Sequence, residues 1–355
     1  MKKVFMFLLS AFVLAACTPA NIDSNSPVAE GTIPTLTVMT HDSFAVSEAV
    51  IAQFEQENNV QVEFLLSGDA GSMINQAILT QASPLADVIY GIDNTFLSRA
   101  LEAGLFIPYR SPLLVDVPEE FIVDGGDSVT PVDYGDVCIN YDVAYFSEHG
   151  LAIPQSLQDL TNPEYRGLLV VENPAVSSPG LAFLLATVNE YGDPGFMGFW
   201  QQMVENDVVV VNDWNTAYYT NFSGSSGHGE QPMVVSYGSS PAVEVVYASE
   251  PVTTAPTASL VGDRMCFRQV EFAGIVQGTQ NQVLAEKFID FMLSLPFQED
   301  IPLQMFMYPV NQQAQLPDVF VTYNQVPLVP STLPAIEISS NRDVWVQAWT
   351  EEVLR

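Results

Sequence analysis

The chain has 355 residues, and its 42 Asp and Glu against 10 Lys and Arg give a formal net charge of −32 at pH 7. Such a field repels nucleic acid and anionic membranes and attracts cationic solutes, so we expect no nucleic-acid partner. The acidity serves either solubility or ligand capture, and the sequence does not choose between them. The length predicts two lobes, and 48% hydrophobic residues suffice for their cores.

The first residues predict export. Lys2 and Lys3 precede an apolar stretch that is too short to span a membrane, so we interpret residues 1–16 as a signal peptide. Its removal takes two lysines and leaves 8 basic residues against 42 acidic ones, a net charge of −34. No later segment is apolar over the about 18 residues that a membrane span requires.

The end of this segment, Leu14-Ala15-Ala16-Cys17, resembles the bacterial lipobox, whose cysteine receives a diacylglycerol. The alternative is an ordinary secretory signal with an incidental cysteine. Residues 17–33 are polar and contain proline, which is typical of a flexible tether. We therefore expect a protein anchored by lipid to the cell membrane on its extracytoplasmic side, in the periplasm or at the cell surface.

Strand and helix patterns then alternate, which predicts a parallel sheet covered by helices. The predicted strands are 36–40, 60–66 and 86–91, and the predicted helices are 47–58, about 72–81, and 96–103.

A β-rich passage over 129–141 interrupts this rhythm and predicts a first crossing into a second lobe. A second series follows, with strands at 167–171, 208–211 and 233–236 and helices at 181–191, 214–222 and 241–248. The return crossing is expected near 266–272, before a helix at 281–293. We therefore expect an α/β fold of two lobes with a ligand cleft between them: lobe I over 34–132 plus 268–306, and lobe II over 133–267 plus 307–355.

Two cysteines remain after Cys17, and both lie in strand-like contexts. In an oxidising compartment Cys138 and Cys266 predict a disulfide, with two buried free thiols as the alternative.

Polar residues follow the predicted strands of the first series. In parallel α/β sheets ligands bind at the carboxyl ends of the strands. The residues at these ends are His41-Asp42-Ser43, Ser67-Gly68-Asp69 and Gly91-Ile92-Asp93-Asn94.

The second series adds aromatic and hydroxyl groups. Asp213 and Trp214 lie at a predicted helix start, followed by Tyr218 and Tyr219. Segments 177–181 and 236–241 each place serines at a helix N-terminus, which favours an anion. Aromatic faces beside carboxylates suit a delocalised or quaternary cation. For each motif alone, a helix cap or a core aromatic is an equally good explanation, and their joint occurrence favours a binding site.

Motifs for catalysis are missing from the sequence. It contains no Gly-x-Ser-x-Gly, His-Glu-x-x-His or Gly-x-x-x-x-Gly-Lys pattern, and His41, His149 and His228 are far apart. We expect a protein that is not an enzyme and that has no cofactor and no metal site. A secreted hydrolase with a pair of carboxylates is the alternative from another class.

Several short motifs, in order, resemble the thiamine-binding protein family of ABC importers. They are 36–44, 86–94, 132–135, 178–181, Trp214 with 217–218, 236–242 and 307–310. The resemblance implies a type II periplasmic-binding-protein fold, no catalytic activity, a permease and through it an ATPase as partners, and a monomer. It implies thiamine or a thiamine phosphate as the ligand, and it does not rank these forms.

The resemblance also implies ligand contacts. Asp69, Trp214, Tyr237 and Ser178 match the family's motifs, with Ser178 at the phosphate end. The sequence departs at His41 and Val243, where the family has tyrosines, and at Phe306, where it has tryptophan. A tryptophan-bearing loop after Asp-Ser-Phe is shortened. The complete set of predicted ligand-binding residues is His41, Asp42, Ser43, Asp69, Asp93, Ser178, Trp214, Tyr218, Tyr237, Ser240 and Phe306.

Two alternatives share the expected fold. A ferric-iron-binding protein would use an adjacent tyrosine pair with a histidine, and Tyr218-Tyr219 with His41 could imitate that set. On a helix, however, Tyr219 should point away from Tyr218. A polyamine-binding protein is compatible with the acidity but lacks the motifs.

Overall fold

The structure is a computed structural model that describes residues 33–123, 127–226 and 228–355. The predicted signal peptide, the lipidation of Cys17 and all but the last residue of the predicted tether lie outside the described residues. Residues from Pro34 to Arg355 form one compact unit. Among the described residues no helix is long and apolar enough to cross a membrane.

The strands of the described residues form one sheet of eleven. They are β1 Thr35–Thr40, β2 Gln61–Leu66, β3 Val88–Asp93, β4 Phe106–Ile107, β5 Thr130–Asp142, β6 Leu169–Glu172, β7 Val209–Val211, β8 Met233–Tyr237, β9 Thr257–Leu260, β10 Phe267–Val276 and β11 Tyr308–Pro309.

Helices cover the sheet. They are α1 Glu48–Asn58, α2 Ala70–Leu79, α3 Leu97–Glu102, α4 Val143–His149, α5 Ser178–Tyr191, α6 Gly195–Glu205, α7 Ser223–Ser226, α8 Ser240–Val246, α9 Gln282–Leu293, α10 Leu295–Gln298, α11 Ile301–Gln304, α12 Asp318–Tyr323 and α13 Ala335–Val353. Short 3-10 helices span Pro112–Asp116, Glu119–Phe121, Leu157–Thr161 and Pro163–Tyr165, and a π-helix spans Thr216–Asn221.

Two parallel groups of strands lie in this sheet, separated by two antiparallel strands. The order is β2-β1-β3-β10-β5-β8-β6-β7, with β2, β1 and β3 mutually parallel and β8, β6 and β7 mutually parallel. β10 and β5 run antiparallel to each other and to their outer neighbours. β3 and β6 are buried along their whole length, as expected for strands that are covered on both faces.

Strand β5 joins the two groups because its first half pairs with β10 and its second half pairs with β8. The passages predicted as crossings, 129–141 and 266–272, correspond to the long strand β5 and the first part of β10. The described residues have the α/β fold that the sequence predicts, while the predicted lobe boundaries remain a prediction.

Each group of parallel strands packs against its own helices. Leu36 and Val38 of β1 pack with Phe54 of α1 and Phe288 of α9 in one core cluster. A larger cluster includes most of the buried apolar face of α5 and the aromatic residues of α6. Helix α13 closes this second cluster, where Trp349 meets Trp200 edge-on with ring centroids 5.5 Å apart.

The predicted disulfide is present. Cys138 on β5 is bonded to Cys266, the residue before β10, across a sequence separation of 128 residues. Both cysteines are fully buried, so the bond joins the two crossing strands inside the protein.

Candidate functional site

A cavity of about 290 Å³ lies where the carboxyl ends of both parallel groups meet. Eight predicted residues line it: His41, Ser43, Asp69, Ser178, Trp214, Tyr237, Ser240 and Phe306. The sequence analysis did not predict the other main lining side chains, which are Tyr219, Val243, Tyr247, Glu271, Gln304, Met305 and Met307.

Trp214 provides the largest aromatic surface of the cavity. Its indole Nε1 donates to Ser236 Oγ at 2.9 Å, which fixes the orientation of the ring. The indole stacks on Tyr218 with centroids 4.9 Å apart and planes 15° apart. Tyr219 and Tyr237 meet the same ring edge-on, at 5.4 and 6.5 Å. Three rings of the lining, those of Trp214, Tyr219 and Tyr237, therefore form one aromatic cluster.

Tyr218 itself does not line the cavity. It is fully buried, and its hydroxyl donates to Glu244 at 2.7 Å. Tyr219, the next residue, is 51% exposed and lines the cavity instead. The expectation that Tyr219 points away from Tyr218 is wrong, because the two rings contact each other edge-on with centroids 5.3 Å apart, and the tyrosine that lines the cavity is Tyr219. Tyr218 acts as a support behind Trp214.

Asp69 occupies the end of β2 and caps helix α2. Its Oδ1 accepts from the amide of Ala70 at 2.8 Å, and its Oδ2 accepts from the amide of Trp214 at 3.4 Å. Burial raises the pKa of Asp69, and hydrogen bonds and the nearby His41 oppose this rise. Asp69 thus links residues that follow strands of the two parallel groups.

Two further predicted residues lie outside the lining. Asp93 is fully buried below Ser178, whose hydroxyl donates to it. Asp42 accepts from the amide of Gly68 at 2.8 Å and holds two loops together. Both residues follow predicted strands, as the strand-end pattern indicates. Their carboxylates do not face the cavity, because that of Asp42 accepts a hydrogen bond from Gly68 and that of Asp93 accepts one from Ser178.

Ser240 and Ser236 support the wall next to Tyr237. Their hydroxyls are 2.9 Å apart, and Ser240 Oγ also accepts from the amide of Tyr237 at 3.3 Å. On the opposite side, Ser43 Oγ donates to Asn215 Oδ1 at 3.4 Å.

His41 and Glu271 lie at the floor of the cavity. They are 8% and 4% exposed, with Nε2 and Oε2 separated by 3.6 Å. Burial lowers the pKa of His41, but Glu271 and the more distant Asp69 and Asp42 raise it by more, so the net shift is upward. The imidazole packs against Gly91, whose φ is +89° and where an added Cβ would lie 2.3 Å from His41 Cδ2.

Phe306 and Tyr247 approach each other beside the cavity, with ring centroids 5.8 Å apart. Phe306 has a φ of 55°, an uncommon conformation for a bulky residue. Met305, just before it, accepts a hydrogen bond from the amide of Ala45 through its sulfur at 3.1 Å. The segment after α11 is thereby fixed against the loop that follows β1.

Acidic side chains outnumber basic ones in the lining of the cavity. Among its described residues, Asp69 and Glu271 are the acidic members, His41 is the one group that can carry positive charge, and there is no Lys or Arg. Within the described chain no group of three or more His, Cys, Asp or Glu is arranged to hold a metal ion. The arrangement suits a flat ligand with positive charge, since ring faces and carboxylates both attract cations.

A family model described as bacterial extracellular solute-binding protein matches residues 83–325, more than half of the chain. The chain belongs to this family. Proteins of this family bind solutes for transport, and the family's description and the names of its relatives are those of extracellular or periplasmic proteins.

Individual relatives agree with the assignment. The solute-binding protein is 31% identical to the thiamine-binding periplasmic protein of Escherichia coli K12 over 350 residues, which cover 97% of this chain and 100% of the relative. The solved structure of a periplasmic thiamin binding protein superposes with a TM-score of 0.79 at 29% identity, covering 91% of this chain and 97% of that one.

Iron-bound HitA from Pseudomonas aeruginosa superposes with a TM-score of 0.73 at 20% identity, covering 89% of this chain and 99% of that one. At this identity the likeness shows the fold alone. The type II periplasmic-binding-protein fold predicted from the sequence is confirmed.

Proposed function

We propose that this protein is the substrate-binding component of an ABC importer and that its ligand is thiamine or a thiamine phosphate. The observation that carries the proposal is the cavity lined by the clustered rings of Trp214, Tyr219 and Tyr237 together with the carboxylates of Asp69 and Glu271. The name of the Escherichia coli relative, to which this chain is similar over nearly its full length, supports the same ligand.

The chemistry of the ligand fits this lining. Thiamine joins a flat aminopyrimidine to a thiazolium ring with a permanent positive charge. Each well-placed aromatic face contributes about 0.5–2 kcal/mol to binding such a cation. Asp69 adds electrostatic attraction from one side. Ser178, at the start of the 14-residue helix α5, is the candidate contact for the hydroxyethyl end or its phosphate.

The ferric alternative is disfavoured by the surroundings of the tyrosine pair. A ferric site needs tyrosinate oxygens that converge on the metal. Burial and the nearby Glu244 raise the pKa of Tyr218 well above its ordinary value, which opposes loss of the phenolic proton. Tyr218 and Tyr219 also present their rings nearly perpendicular to each other, at 87°.

We further propose that the ligand is released unchanged, without catalysis, to a membrane permease that is driven by an ATPase. The lobes 34–132 plus 268–306 and 133–267 plus 307–355 would close around the ligand, bending at β5 and β10, the strands that join the two parallel groups. Export by residues 1–16 and lipidation at Cys17 would keep the monomeric protein at the cell membrane.

The test is calorimetric titration of the purified protein with thiamine, its monophosphate and its diphosphate. Spermidine and ferric citrate serve as competitors for the two alternatives of the same fold. Saturable binding of one thiamine form, not displaced by either competitor, is the expected result. Binding of iron or spermidine with no response to any thiamine form would refute the proposal, and recovery of chemically altered thiamine would refute the non-enzymatic role.

A further inference from the structure

Among the described residues that line the cavity, His41 is the one whose side chain can change from neutral to positive. It follows β1 and is 8% exposed. The imidazole packs so closely on β3 that a Cβ added at Gly91 would lie 2.3 Å from its Cδ2, and the ring of Tyr90 lies at a centroid distance of 6.0 Å. A proton gained by this side chain therefore places a positive charge inside the cavity wall and not in solvent.

Three carboxylates act on this imidazole. Glu271 on β10 is the nearest, with Oε2 at 3.6 Å from Nε2 of His41, and Asp69 and Asp42 act from farther away. Burial lowers the pKa of His41, but Glu271 and then the two aspartates raise it by more. An unperturbed imidazole titrates near pH 6.5, so a raised pKa places the change of charge close to neutral pH.

Behind Glu271, two buried side chains stay uncharged at neutral pH. Tyr90 donates its hydroxyl to Asp133. Burial, and then the charge of Glu271, raise the pKa of Asp133 well above its ordinary value. Burial, and then Asp133 and Glu271, likewise raise the pKa of Tyr90. Both groups therefore keep their protons, and Glu271 supplies the negative charge at this end of the cavity.

A protonated His41 and a bound cation would depend on the same negative charge. Glu271 and Asp69 both line the cavity, and both attract a cation. Once His41 is protonated, it forms an ion pair with Glu271 and cancels half of that attraction. Two positive charges within a cavity of about 290 Å³ also repel each other more than they would in bulk water. A proton on His41 and a cationic ligand therefore oppose each other.

We propose that His41 makes the capture of a cationic ligand depend on pH: the cavity binds the cation while the imidazole is neutral and releases it when the imidazole is protonated. This role of His41 rests on the proposed function, in which the ligand carries a permanent positive charge. A tyrosine at this position would stay uncharged over the same range, because a phenol titrates near pH 10. Affinity for the cation rises with pH through the titration of His41, by at most about tenfold per pH unit for one proton.

Calorimetric titration with thiamine at pH 6 and pH 8.5 tests the proposal on the wild type, His41→Gln and the matched control His149→Gln. Glutamine is uncharged at both pH values, and the exposed His149 of α4 does not line the cavity. Titration of the ligand itself is common to all three proteins. From pH 8.5 to pH 6 the wild type should lose about 10-fold more affinity than His41→Gln, while His149→Gln should follow the wild type.

A second measurement leaves His41 unchanged. The imidazole signals of the wild type are followed by NMR across the same pH range, with and without saturating thiamine, and His149→Gln and His228→Gln assign the other two histidines. Coupling between two ligands is reciprocal, so a 10-fold effect of the proton on thiamine requires that thiamine lower the titration midpoint of His41 by about one pH unit. The midpoint of His149 should not move.

The outcomes separate this role of His41 from the proposed function. Thiamine binding with an unshifted His41 midpoint would overturn the role of His41 alone, even if His41→Gln fails to fold. A midpoint that rises with thiamine would overturn it as well, because the imidazolium would then assist binding. Equal loss of affinity in the wild type and His41→Gln would assign the pH dependence to other groups. Wild-type protein that binds no thiamine at either pH would reject the proposed function, and the role of His41 with it.

Discussion

Asp93 links the acidity of the medium to the stability of the protein, and Asp93→Asn tests that link. The carboxylate is fully buried at the end of β3, where it accepts hydrogen bonds from Ser178 Oγ and from the amide of Thr95, the latter at 2.7 Å. Burial raises its pKa from 3.8 to about 6, although these hydrogen bonds oppose the rise.

The direction in which pH changes the free energy of unfolding follows from proton binding at Asp93. Between pH 3.8 and about 6 the folded protein holds a proton on Asp93 that the unfolded chain has lost. The stabilisation is therefore complete below pH 3.8 and is lost as the pH rises through 6. A rise of about two pKa units at 1.36 kcal/mol each corresponds to a loss of ~3 kcal/mol from the free energy of unfolding.

Urea unfolding at pH 4 and pH 7.5 measures this change. The other groups titrate alike in both proteins, so the difference between the wild type and Asp93→Asn isolates the one carboxyl. We expect the variant to gain ~3 kcal/mol relative to the wild type between the two pH values. Asp263→Asn, at an exposed position, is the matched control. A difference that does not change with pH would refute a raised pKa at Asp93.

Three further substitutions change the aromatic lining of the cavity, the glycine that packs against His41, and the disulfide. Trp214→Ala should weaken thiamine binding by ~1–3 kcal/mol through lost ring contacts, and wild-type affinity in calorimetry would remove this residue from the site. Gly91→Ala should lower the free energy of unfolding by ~2–4 kcal/mol, because a Cβ at positive φ would displace His41; an unchanged urea midpoint would contradict that crowding. Replacing Cys138 and Cys266 together by Ala should cost ~2–5 kcal/mol because the bond closes a long loop, whereas an equally stable variant would show that the loop is constrained by other contacts.

The alternation of strands and helices could be predicted because buried parallel strands consist of short runs of apolar residues, which are recognisable in the sequence. Strands β1, β3 and β8 and helices α1, α5 and α9 lie within a few residues of their predicted positions. The carboxyl-end rule then located most of the lining, including Asp69 and Trp214. Helices α6 and α13 were not predicted, since the few core contacts of α13, such as Trp345 and Trp349, are spread over a mostly polar helix.

The remaining part of the site depends on geometry that local patterns do not carry. Glu271 and Gln269 lie in the middle of a crossing strand, away from any strand end, and only their alternation within an apolar run signals a polar face. The choice between Tyr218 and Tyr219 depends on a π-helical turn, whose wider register differs from the helix expected there. Tyr247 lies beyond the predicted motifs and reaches the cavity only through the packing of α8.

The bond between Cys138 and Cys266 determines what a single proteolytic cut can release from the protein. It encloses α4 to α8 within a covalent ring. A protease that cuts once inside this ring leaves two fragments that still migrate together on a gel without reductant. Release of a fragment requires either a second cut or reduction of the bond, so a single nick between these cysteines leaves the two pieces covalently joined.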